Sequence, residues 1–112
     1  MDISTFNKDN KNCFGSECTH YSKVIGNYIL HIFLGNWDLT ISSPMDGKLN
    51  IKEYKILPIC VDSIKDCKII QLSKIEVEDI PLVPGSKTFY NAKFSDVEKV
   101  YNKLCDINKV KD

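Results

Sequence analysis

From Ser22 onward the chain carries the two-residue alternation of β-strands. The segment SKVIGNYILHIFL is rich in β-branched and aromatic residues and has few helix-favouring ones. Gly35-Asn36 suits a two-residue reversal with glycine at its first central position. That register predicts a hairpin over 30–42 in which Leu34 faces Trp37, Ile32 faces Leu39 and Leu30 faces Ile41. All six are apolar and share one face. The opposite face carries Phe33 with Asp38, His31 with Thr40, and Ile29 with Ser42. A slip of one residue would turn one strand's apolar set to the wrong side, so the agreement supports the register.

SSPMDGK reads as the next turn, with Pro44 pre-setting one dihedral and Asp46-Gly47 reversing the chain. LNIKEYKILPICVD then places Leu49, Ile51, Tyr54, Ile56, Ile59 and Val61 in strand-like spacing. A change of phase near Glu53 predicts a bend there, or two strands. Pro58 cannot donate to a ladder, which predicts an edge position or a strand end. CKIIQLSKIEVED is expected to continue as strand through Ile69, Ile70, Leu72, Ile75 and Val77. The connections are too short for parallel crossovers, which predicts an antiparallel meander.

IPLVPGSK interrupts the pattern with two prolines and a glycine, and FYNAKF leads into a helix predicted over Asp96–Asn108. Ser95 as N-cap and Glu98 three residues on would form a capping box. Val97, Val100, Tyr101, Leu104 and Ile107 make one apolar stripe. The expected fold class is α+β: an antiparallel meander of five to six strands, curled or barrel-like, packed by one C-terminal helix. Residues 1–21 are polar and aperiodic and read as an N-terminal arm. Residues 22–108 form one domain, and residues 109–112 read as a frayed tail.

Composition narrows the functional classes. The 112 residues are 43% hydrophobic and 27% charged, values suited to one globular core. Fifteen basic residues balance fifteen acidic ones. Every basic residue is lysine, so no guanidinium fork exists for phosphate or guanine. Zero net charge and no arginine disfavour nucleic acid as a partner. The longest apolar run, Ile29–Leu34, is far shorter than a membrane-spanning helix requires. MDISTFNKDN lacks the charged-then-apolar pattern of a signal peptide. A cytoplasmic location and reduced thiols at Cys13, Cys18, Cys60, Cys67 and Cys105 are the matching expectations. Abundant Lys, Asn and Ile with a single alanine indicate an AT-rich coding source, such as a low-GC bacterium, phage, plasmid or large virus.

Two groups of side chains have chemical potential. Cys13, Cys18 and His20 could furnish three ligands to a structural zinc ion, although their spacing is not a common knuckle. In the predicted hairpin His31 lies across from Thr40 and diagonal to Asp38, where a carboxylate could orient an imidazole. Trp37, Phe33 and Ile29 flank that trio as candidate binding residues, and an apolar patch with such a polar rim has the character of an interface. No glycine-rich phosphate cradle, nucleophile elbow or zinc-protease motif occurs. The leading expectation is a small protein-protein interaction domain without enzymatic activity. It would bind another protein or self-associate, as an inhibitor, immunity or accessory factor. A small-ligand or nucleotide-binding domain and a zinc-stabilised adaptor are the alternatives.

Overall fold

The computed structural model describes residues 1–13, 15–35, 37–38 and 50–109. Six strands form one antiparallel sheet: β1 (Asn7–Cys13), β2 (Ser16–Ile25), β3 (Tyr28–Leu34), β4 (Leu57–Ser63), β5 (Lys68–Ile70) and β6 (Tyr90–Ala92). The order is β1-β2-β3-β4-β5, with β6 bonded to β4 beyond the end of β5. The sheet is not closed, and one helix, α1 (Phe94–Asn108), packs on it. This is the expected α+β class, with an open sheet and not a barrel.

Alternation decides the two faces. On β3, Leu30, Ile32 and Leu34 are buried, while Ile29, His31 and Phe33 are partly exposed. Leu30 sits between Lys23 and Val61, and Ile32 between Tyr21 and Ile59. Their side of the sheet receives Val97, Val100, Tyr101 and Leu104 of α1. The apolar face of β3 is therefore as the sequence predicts, but its pairing differs. Both edges of β3 are occupied, by β2 and β4. The expected hairpin partners Leu39, Ile41 and Ser42 lie outside the described residues, as does Thr40.

Other elements also depart from expectation. The segment read as a polar arm supplies β1 and the start of β2. Six of the seven β1 residues are exposed, so an edge strand with nothing to bury carries no apolar period. Leu72–Ile75 forms a 3₁₀ turn and not a continued strand. Burial of Leu72 and Ile75 at turn spacing satisfies the same apolar residues. Helix α1 begins two residues early, and Lys93 N–H donates to Asp96, not Glu98, as the first-turn carboxylate. Ile107 is 43% exposed while Cys105 is buried, so the stripe ends on the thiol.

Tertiary contacts fix the helix to the sheet. Phe6 and Tyr101 rings lie 6.1 Å apart, and Lys23 Nζ sits 5.6 Å over each. At the other end Asn27 N–H donates to Asn108 Oδ1, and Asn108 Nδ2 donates to Leu104 O. Gly26 has φ +61°, and a Cβ there would fall 2.2 Å from the Asn108 side chain. Only glycine meets both demands at this turn. Among the described residues no helix is long and apolar enough to cross a membrane.

Candidate functional site

The face of the sheet opposite α1 carries the polar chemistry. Register places Asp9 beside His20, His20 beside Phe33, Ser22 beside His31, His31 beside Cys60, and Ile29 beside Asp62. Directly paired residues share a face, and diagonal neighbours lie within reach of long side chains. The result is one hydrogen-bonded chain across four strands. His20 Nδ1 lies 2.9 Å from Asp9 Oδ1, His20 Nε2 lies 2.7 Å from His31 Nδ1, and His31 Nε2 lies 2.7 Å from Asp62 Oδ2.

The proton count of this chain follows from its geometry. Each carboxylate can accept from a ring N–H, which uses one nitrogen of each histidine. The facing nitrogens then need a single proton between them. Without it two lone pairs meet, and with two protons a pair of N–H groups collide. One proton between the facing nitrogens satisfies the contact, and a ring N–H toward each carboxylate satisfies its two ends. His31 is shifted below the ordinary histidine value, chiefly by burial, with the Asp62 bond and charge opposing and the nearby charge of His20 assisting. Lys11, also facing the site, lowers it slightly. A second proton on the pair is thereby disfavoured.

Aromatic rings pack beside the histidines. Phe33 stacks on His20 at 5.0 Å, and Phe89 lies 5.9 Å from Phe33. Phe89 arrives from the segment before β6, where Val83 N–H donates to Phe89 O and Asn91 N–H to Pro81 O. His20 is 3% exposed. Cys60, under His31, has its thiol pushed up to about 12 by burial and by the charge of Asp62. It stays protonated at physiological pH and is a poor nucleophile.

Sequence reasoning singles out His31 but gives it other neighbours. Asp38 is buried and accepts from the backbone N–H groups of Lys55 and Ile56. Trp37 Nε1–H donates to Ile56 O at 3.1 Å, and its ring fills the space a Cβ on Gly35 would need. Both residues thus tie the chain after β3 to the approach to β4. His31 is oriented by His20 and Asp62 instead.

Cys13, Cys18 and His20 share the outer face of the β1–β2 hairpin, but Cys13 and Cys18 are joined by a disulfide. The expectation of five reduced cysteines is corrected to three free thiols, Cys60, Cys67 and Cys105. Pairing of Cys13 with Ser16, and of Lys11 with Cys18, brings the two sulfurs onto one diagonal. No group of three or more metal-ligating side chains occurs among the described residues. Asp9, His20 and Asp62 are the participants the sequence did not point to as a chain, since only the strand order β1-β2-β3-β4 unites them.

These features define a small α+β protein with an open six-stranded sheet and a hydrogen-bonded histidine pair on its outer face. The chain matches no family model, no curated protein and no solved structure.

Proposed function

We propose that this chain is a small non-enzymatic interaction domain that binds another protein through the outer face of its sheet. One observation carries the reading. Val24, Ile29, Asp62 and Ile69 stand in register across β2, β3, β4 and β5, forming a mostly apolar row on the face opposite α1. Val24 is 56% exposed, and Ile64, just beyond β4, is 45% exposed. An apolar row with one acidic residue beside a polar chain has the make-up of a transient interface. The histidine chain also argues against catalysis. All four ring nitrogens are engaged within it, so none is left to take a proton from a substrate or to ligate zinc. An inhibitor, immunity or accessory role is the narrower form of this proposal, supported by small size and balanced charge.

The test uses the full chain and its Val24→Lys variant as baits. Substitution at so exposed a position leaves the core intact. A partner retained by the wild type and lost by the variant supports the reading. Equal retention by both overturns it.

A small-ligand reading has one observation behind it. A shallow cleft of about 220 Å³ lies between Lys11, Asn12, Cys13, Phe33 and Phe89. Ligands that occupy it would raise the melting temperature by mass action, and Lys11→Ala would remove the gain for anionic ones.

A further inference from the structure

Among the described residues strand β1 ends the sheet and pairs only with β2, and Asn7 to Asn12 are all exposed. We infer that β1 is a self-pairing edge: two copies of this chain join antiparallel through β1 about a two-fold axis at Asn10, making a continuous sheet. The inference rests on β1 alone and is independent of the outer-face reading above.

Backbone parity comes first. Ile25 pairs with Tyr28 across the Gly26-Asn27 turn, so odd-numbered residues of β2 bond to β3 and even-numbered ones, the partners of odd-numbered β1 residues, bond to β1. The closing pair of a two-residue turn exchanges both backbone hydrogen bonds. Odd-numbered residues of β1 therefore direct their N–H and C=O toward β2. Lys8, Asn10 and Asn12 direct theirs to the open edge. A second β1 must then be engaged through these even-numbered residues.

Charge selects among the remaining registers. Pairing about Asn10 sets Asn10 opposite its own copy, Lys8 opposite Asn12, and Asp9 opposite Lys11. Both Asp9–Lys11 pairs fall at non-hydrogen-bonded positions, where side chains stand closest. Centring on Asp9 opposes two carboxylates, and centring on Lys8 or Lys11 opposes two ammonium groups. Those registers are penalised as like charges in direct opposition. The Asn10 register also uses all seven residues of the strand. Lysines on an edge normally deter pairing. Here the Asp9-Asn10-Lys11 sequence makes the edge complementary to itself, as an isologous contact requires. Asp9 is available for this contact. It holds His20 through Oδ1, and a carboxylate accepts through both oxygens. The histidine chain of each copy would thereby end on a lysine of the other.

The test is sedimentation velocity of the intact, disulfide-bonded chain over a concentration series. The expected result is a mass that rises from one copy toward two. Asn10→Pro removes the central edge-facing N–H at a place where an edge strand tolerates proline, and is expected to stay monomeric. Lys11→Asp and Asp9→Lys are each expected to stay monomeric. Mixed together they restore complementarity at every charged position and are expected to give a twofold-mass heterodimer. Circular dichroism confirms that each variant keeps its fold. A wild type that stays monomeric throughout overturns the inference. So does dimerisation that Lys11→Asp leaves unchanged, or folded charge variants that do not pair on mixing.

Discussion

His20 and His31 face each other across β2 and β3 with Nε2 and Nδ1 2.7 Å apart. Each ring is held from its far side by a carboxylate, Asp9 or Asp62. Neither ring can turn away without breaking a charge-assisted bond, so the contact persists only while one proton lies between them.

That proton is directly observable. Nitrogen-15-edited proton spectra are expected to show one strongly downfield resonance correlated with His20 Nε2 and His31 Nδ1. Its absence in the folded protein near neutral pH would refute the shared-proton chain.

Acid should weaken the fold in a definite window. His31 titrates below 6.5 when folded, chiefly because burial penalises its charged form. The unfolded chain then binds more protons between the two values, so stability increases with pH across that interval. The contribution is complete above about 6.5 and is lost as pH falls through the folded value. Urea midpoints measured down an acid series are expected to decline over this range. His31→Leu should flatten that part of the decline.

Breaking one end of the histidine contact should cost more than removing both. His31→Leu strands a buried nitrogen of His20, for which a loss of about 1–3 kcal/mol is expected. In the His20→Leu, His31→Leu double variant, apolar side chains stand in for the paired polar groups. A double-mutant cycle by chemical denaturation should give a coupling of about 0.5–3 kcal/mol. Strictly additive losses would deny the contact.

Thiol chemistry distinguishes the five cysteines. Alkylation of the denatured, unreduced protein is expected to label three thiols, and reduction beforehand to raise this to all five. In the folded protein exposed Cys67 should react first, while buried Cys60, with its thiol near 12, should resist. Reduction of Cys13–Cys18 should lower the melting temperature, since a short closed loop constrains the unfolded chain by roughly 2 kcal/mol. Five labels without reduction would contradict the disulfide.

Local pattern alone determined the apolar face of β3, the burial of Val97, Val100, Tyr101 and Leu104, the antiparallel character of the sheet and the C-terminal helix. These are questions of period, and a strand or helix with one buried side writes its period into the chain. Tertiary structure decided which edges meet. β1 has no buried side and left no apolar signal, so its place was invisible in NKDNKN. His31 was recognisable as a polar residue on an otherwise apolar strand, but its hydrogen-bond partners, His20 and Asp62, were not. Thr40 lies outside the described residues, and Asp9, His20 and Asp62 come from three other strands. Asp38 was drawn instead to unpaired backbone N–H groups at Lys55 and Ile56. Side-chain period is a property of one segment. The histidine chain depends on strand order and register between segments, which only the folded sheet supplies.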